Sequence, residues 1–188
     1  LPGQLMAAAR CNVPTIVIAC GYQPCGTYKG EHFDIEDLFI QTGRKSVGQV
    51  TDEEMEEMIR AAIKGPGVCQ GIGTANTMHV ACEALGFCLP GTTPVLANSE
   101  AMWDAVRAAS RRILEMVDED LKPRDILTPG AFANCVKAVL AVSGSLNAMK
   151  HIQAVAHAAQ SDVDVFKMFD DFSTDIPLLT GIRPNGDH

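Results

Sequence analysis

Val13-Pro14-Thr15-Ile16-Val17-Ile18-Ala19 is a short apolar run dominated by β-branched residues, the composition of a strand buried on both faces of a parallel sheet. Just upstream, the Ala-rich residues 5–10 read as a short helix. A helix feeding a buried strand predicts an α/β architecture. Just downstream, Gly21, Pro24 and Gly26 fall among Tyr22 and Tyr28, which reads as a loop at the strand's carboxyl end, where open α/β sheets place ligands.

Further along, helices dominate. Thr51-Asp52-Glu53-Glu54 is a capping box, in which the Thr hydroxyl and the Glu three positions later satisfy orphan amides. Met55, Met58, Ile59, Ala62 and Ile63 continue it as an apolar stripe. Residues 65–73 break that helix, and residues 75–85 form one that is apolar on nearly every side, hence buried. Asn98 or Ser99 can cap a long helix that reaches about residue 117 and carries Met102, Val106, Ala109, Ile113 and Met116 on one face. Lys122-Pro123 stops it. Thr128-Pro129 opens a helix over 130–142, Ser143-Gly144-Ser145 interrupts, and another helix covers 146–159 before the chain extends near 177–181. The pattern is helix-rich α/β with only one or two strands, so it reads as part of one domain.

Composition narrows the function. The chain has 188 residues, 47% of them hydrophobic, enough for one domain with a real core. The longest apolar stretch is well short of the roughly 18 to 20 residues a bilayer crossing needs, so no membrane is expected. A net charge of −8 repels phosphate backbones, which argues against nucleic acid. The seven cysteines are an odd set without a CxxC pair. This implies a reducing compartment, cytoplasm or organelle matrix, with most thiols filling core space. The chain starts at Leu1 and is expected to be a fragment of a longer polypeptide.

The stretch that carries chemistry is Gly65-Pro66-Gly67-Val68-Cys69-Gln70-Gly71-Ile72-Gly73-Thr74-Ala75-Asn76-Thr77-Met78. It sets one cysteine in a glycine-dense loop that runs into the buried helix. Glycines let a backbone approach a bulky ligand, and amides at a helix start favour a thiolate or an anion. No Gly-Lys-Ser/Thr follows, and Asn76 stands where a dinucleotide fingerprint needs its third glycine. The residues alone leave Cys69 open between a structural thiol, a nucleophile and a metal ligand.

Cys69-Gln70-Gly71-Ile72-Gly73-Thr74-Ala75-Asn76-Thr77-Met78, followed by Glu83-Ala84-Leu85-Gly86 and Leu89-Pro90-Gly91, resembles the signature of the dihydroxy-acid and phosphogluconate (sugar-acid) dehydratase family. Leu1-Pro2-Gly3 with Met6-Ala7-Ala8, Asp125-Ile126-Leu127-Thr128, Ser143-Gly144-Ser145-Leu146-Asn147-Ala148 and Pro177-Leu178-Leu179 resemble further blocks in the same order. The resemblance implies a three-layer-like N-terminal α/β domain, with the family's β-rich C-terminal domain absent from this chain. It also implies that residues 1–188 are an iron-sulfur-binding portion and that Cys69 ligates the cluster, 2Fe-2S favoured over 4Fe-4S.

Further implications are a Mg2+ ion holding the substrate, a small-molecule acid substrate, and a homodimer or homotetramer. The implied reaction is dehydration of a 2,3-dihydroxy acid to a 2-keto acid. A sugar acid is favoured because no tyrosine precedes Thr74; the alternatives are a branched-chain dihydroxy acid or an inactive, family-derived binding protein. The family's Cys-Asp-Lys block is expected before Leu1 and its catalytic serine in a later domain. No catalytic residue is therefore expected within this chain, and on its own it should be inactive.

Two stretches depart from the family pattern. Leu146 stands where a threonine is usual, and Gly21-Tyr22-Gln23-Pro24-Cys25-Gly26 replaces a Gly-Pro-Met loop. Elsewhere the plainer readings are favoured. His32, His79, His151 and His157 read as ordinary core or surface histidines, Asp34, Glu36 and Asp37 as helix-start acids, and Cys20 and Cys25 as buried structural thiols.

Overall fold

The computed structural model describes residues 1–182. Helix α1 (Pro2–Cys11) opens on a proline, whose missing N–H costs nothing in a first turn. It closes on Asn12 in the left-handed conformation (φ 50°), which returns its N–H to Ala8 O. Helix α4 (Thr74–Ala84) is buried as expected, and it closes with Gly86 at φ +90° while Phe87 N bonds to Cys82 O at 3.0 Å. Helices α7 (Pro129–Ala141), α8 (Asn147–Ala158) and α9 (Val165–Phe172) surround α1 and α4.

Together these five helices enclose the main core, in which Leu5, Met78, Phe87, Phe132, Val136 and Ile152 are fully buried. Truncating a buried phenylalanine such as Phe132 to alanine costs about 3 to 5 kcal/mol through lost transfer energy and the cavity left behind. Arg124, in the short α6 (Pro123–Ile126), locks α1 in place. Its Nε donates to Ala9 O and its backbone N–H to Asn12 Oδ1, both at 3.1 Å.

A second, smaller core joins the hairpin β1 (Gly26–Tyr28) and β2 (Glu31–Phe33) to α2 (Ile35–Ser46) and α3 (Asp52–Ala62). It holds Phe33, Leu38, Met55, Met58, Ala61 and Ala62. The capping box of α3 forms as the sequence predicts, with Thr51 Oγ1 accepting from Glu54 N and Glu54 from Thr51 N. The fold is thus helix-rich, with a two-stranded antiparallel sheet among the described residues.

The run 13–19 corrects the sequence reading. It is extended but belongs to no strand ladder, and it is far from buried: Val13 is 54% and Ile18 43% exposed. Its β-branched residues set the backbone conformation, but a strand also needs neighbours to pair with. Val17 N finds one acceptor, Phe87 O at 2.7 Å, and α5 (Glu100–Asp118) brings Ala105 and Ala109 to a small cavity bordered by Val17, Ile18 and Ala19.

Pairing occurs where the run ends. Tyr22 bridges Val68 on one side and Leu96 on the other, both in the parallel sense. Tyr22 N donates to Val95 O (2.9 Å), Ala97 N to Tyr22 O (2.9 Å), Gln23 N to Val68 O (2.8 Å) and Val68 N to Gly21 O (2.9 Å). The sheet character the sequence promised is concentrated in this bridge.

The cysteines also differ from expectation. Only Cys82, Cys88 and Cys135 are buried, whereas Cys11, Cys20 and Cys25 are exposed and Cys69 lies between. A hydrogen bond with Cys88, and then burial, raises the Cys82 thiol; burial pushes Cys135 up to about 12. These three are inert packing groups.

At the bridge, a Cβ on Gly67 (φ +115°) would lie 2.7 Å from Tyr22 C and 2.8 Å from Ala97 Cβ. Gly67→Ala therefore combines a left-handed conformation with a backbone clash, and should cost at least about 2 kcal/mol. Urea unfolding should show a lowered midpoint. Gly3→Ala, where nothing lies within 4 Å of the added carbon, serves as the tolerated control.

Candidate functional site

Cys69 follows Val68 directly, so the Tyr22 bridge fixes where the thiol loop begins. Four residues later Gly73 starts α4, and having no side chain it offers no cap to the helix. The amides of the first turn are left without intrahelical partners, and the positive end of α4 meets the loop.

Asn76 organises the loop from inside the helix. Only 4% exposed, it donates through Nδ2 to the carbonyls of Cys69 (2.8 Å) and Gly71 (2.9 Å), with a longer contact to Gln70 O (3.4 Å). Gln70 ties the loop outward, its Nε2 donating to Pro24 O and Ala62 O, both at 3.0 Å. A Cβ on Gly71 would lie 2.6 Å from Glu36 Oε1, so that glycine lets the α2 carboxylate sit against the loop. Among the described residues, Asn76 Oδ1 and Gln70 Oε1 are buried acceptors without a partner. Asn76 thus holds the loop, and Thr77 Oγ1 accepts from Ser145 N at 2.9 Å.

A second polar link joins α4 to the start of α8. Thr74 Oγ1 lies 3.1 Å from Ser145 Oγ and accepts from Asn147 Nδ2 at 3.0 Å. The segment 143–147, which departs from the family pattern, is therefore pinned to the helix that leaves the thiol loop. Leu146 takes no part in the link and is 82% exposed.

At its other end α4 carries an arrangement the sequence did not advertise. Glu83 accepts from Gly91 N (2.7 Å), Thr92 N (3.0 Å), Thr93 N (2.7 Å) and Thr93 Oγ1 (2.9 Å). One carboxylate thus fastens the loop between α4 and α5.

The remaining candidates have structural partners. His32 Nε2 lies 3.2 Å from Asp34 Oδ2, and Asp34 and Asp37 form the reciprocal capping box of α2. His32, Asp34 and Asp37 are close enough together to share a cation, but the capping bonds account for both carboxylates. Glu54 caps α3 and Glu56 pairs with Arg60. His157 is exposed, while His151 borders a cavity that also involves His79 and Cys20. Cys20 and Cys25, read as buried, are both exposed.

Chemically, the loop offers one half-buried thiol beside an uncapped helix start, a setting that suits a metal-bound thiolate. Among the described residues, no group of three Cys, His, Asp or Glu side chains at ligand spacing includes Cys69. From this loop a metal group would have a single thiol ligand, Cys69, and any further donors would have to come from elsewhere.

The family model described as the dihydroxy-acid/6-phosphogluconate dehydratase N-terminal domain matches residues 1–188. The chain belongs to that family. It is 40% identical over 188 residues to a dihydroxy-acid dehydratase of Methanothermobacter thermautotrophicus and 37% identical over 188 to that of Methanosphaera stadtmanae. Against the dihydroxy-acid dehydratase of Cytophaga hutchinsonii the identity is 38% over 189 residues. In the first two, the match covers 100% of this chain and 34% of the relative, so the chain spans about a third of the length of these curated relatives. The helix-rich architecture fits an N-terminal α/β portion of this dehydratase family.

The geometry makes Asn76 the positioning residue for the family's Gly-rich thiol loop. Asn76→Ala removes the donor shared by two buried carbonyls and should cost about 1 to 3 kcal/mol. It should also raise the alkylation rate of Cys69 in metal-free protein. Asn76→Asp, which replaces a donor by an acceptor facing carbonyl oxygens, should be worse than alanine in both denaturation midpoint and alkylation rate.

Proposed function

We propose that this chain is the iron-sulfur-binding N-terminal portion of a hydro-lyase that converts a 2,3-dihydroxy acid to a 2-keto acid, and that the substrate is of the branched-chain type. The observation that carries the reading is Cys69 itself, a half-buried thiol in a glycine loop held by Asn76 against the uncapped start of α4. A branched-chain acid replaces the sugar acid suggested by the residues before Thr74, because eight relatives at 35% to 40% identity carry the name dihydroxy-acid dehydratase.

Within this reading, Cys69 holds one iron. The bound cluster supplies Lewis acidity toward the departing hydroxyl. This chain's own part is positional. Asn76 and Gln70 fix the loop carbonyls, and the start of α4 favours negative charge beside the thiolate. Ser145 and Asn147 hold Thr74 at the loop's exit. Loss of water leaves an enol, which tautomerises to the 2-keto acid; the base that takes the C2 proton and the carboxylates around Mg2+ belong to other parts of the intact enzyme. The choice of a 2Fe-2S cluster over 4Fe-4S, a homodimeric or homotetrameric assembly and a cytoplasmic or organelle-matrix location complete the proposal. No helix among the described residues is long and apolar enough to cross a membrane.

Cys69→Ser in the intact protein should remove iron and acid-labile sulfide together and abolish 2-keto acid formation. Unchanged metal content and turnover would defeat the reading. Assayed side by side, a branched-chain dihydroxy acid should exceed aldonic acids in kcat/KM by at least about tenfold, the discrimination available from apolar side-chain contacts. The reverse order would restore the sugar acid.

A further inference from the structure

A cavity of about 540 Å³ lies between α1, α4 and the end of the extended run, lined among others by Ile18, Cys20, Val68, Thr74, Met78 and His79. Most of its wall is apolar, and of the three side chains in it that bear chemistry, Cys20, His79 and His151, the first two meet. Cys20 Sγ lies 3.9 Å from His79 Nε2, within reach of a sulfur hydrogen bond. The thiol is exposed, while the imidazole is 95% buried, with a relative exposure of 5%. A buried imidazole whose ring nitrogen faces an exposed thiol at a cavity wall is the arrangement of a base beside its nucleophile.

We propose that Cys20 and His79 form a reactive thiol-imidazole pair and that Cys20 is the site at which this chain exchanges with low-molecular-weight disulfides. The pair uses neither Cys69 nor the cluster role given to it, so the proposal stands or falls independently of that role. Burial, chiefly, lowers the pKa of His79, which keeps the resting ring neutral and makes it a weak base whose imidazolium readily gives the proton back. The Cys20 proton moves to His79 Nε2 and the Cys20 sulfur attacks one sulfur of the disulfide. A new S–S bond forms as the old one breaks, and the leaving thiolate recovers the proton from the imidazolium. One thiol and one disulfide are consumed and one of each is produced, with no outside oxidant.

Disulfide exchange is the chemistry favoured here because it uses the imidazole twice, as base toward the entering thiol and as acid toward the leaving one. The adduct would stand at the wall of a cavity that also takes in Val68 and Thr74, which flank the Cys69 loop. Disulfide status at Cys20 would thereby reach the approach to that loop.

The chain supplies its own references. Cys11 and Cys25 are also exposed thiols, and among the described residues neither has a hydrogen bond to an imidazole. In Cys25, burial and then the Asp34 carboxylate push the thiol pKa up. The intact, iron-loaded protein would be treated with glutathione disulfide, and the adduct at each cysteine followed by peptide mass mapping. Cys20 should react at least about tenfold faster than Cys11 and Cys25. His79→Gln should remove that advantage while the two reference thiols keep their rates, which also reports that the fold survives. Equal rates at the three thiols in the unaltered protein overturn the proposal, even where His79→Gln does not fold. So does a Cys20 advantage that persists in a folded His79→Gln protein.

Discussion

The backbone of Tyr22 is the constraint on which the site depends. Its two parallel bridges draw three separate stretches of chain together: the end of the extended run, the start of the thiol loop and the approach to α5. Approach this close needs backbone without side chains. A Cβ on Gly21 would lie 2.6 Å from Ala97 Cα, and one on Gly67 2.9 Å from Gly21 O. Both glycines also take positive φ, so steric space and conformation call for the same residue. Cys20 lies two residues before Tyr22 and Cys69 directly after its partner Val68, so the bridge geometry sets the position of both thiols.

Helix α4 carries that local order into the core. Its inner face is sealed by Met78, Ala81 and Cys82, each at most 1% exposed, and burial this complete leaves little freedom for rotation or slippage. Apart from Asn76 Oδ1, the polar side chains that remain on such a helix find specific partners, since an unpaired buried polar group costs free energy comparable to a lost hydrogen bond. Asn76 serves the thiol loop, Thr74 and Thr77 serve the segment before α8, and Glu83 serves the loop toward α5. One buried rod therefore aligns three loops through side chains that a purely apolar helix would lack.

Much of this was legible in the residues. Thr51 and Glu54 marked the start of α3, Ser99 that of α5 and Thr128-Pro129 that of α7, because capping is local chemistry written in consecutive positions. Helix α9 carried such a signal too, with Asp164 accepting from Lys167 N and Lys167 paired with Asp171 one turn on, but its eight residues are too short to stand out by periodicity. The run 13–19 misled for the opposite reason. Its composition describes how a segment packs once neighbours cover it, and coverage is a tertiary fact. Asn76 and Glu83 were opaque because their partners are backbone groups of loops, which leave no signature in residue type. The Cys20–His79 contact spans 59 positions, beyond any motif spacing.

The segment 143–147 shows how the same fold can carry a changed surface. Gly144 packs where a Cβ would meet Thr77 Cγ2 and Val139 Cγ1 at 2.8 Å, so its identity follows from α4 and α7. Ser145 and Asn147 are spent on Thr74 and Thr77. Leu146 contributes its backbone, as the residue that opens α8 and accepts from Met149 N, while its apolar side chain points into solvent. A hydroxyl at that position would add nothing to the links that hold α4 and α8 together. The departure at residue 146 therefore leaves the hydrogen bonds that frame the exit of the thiol loop intact.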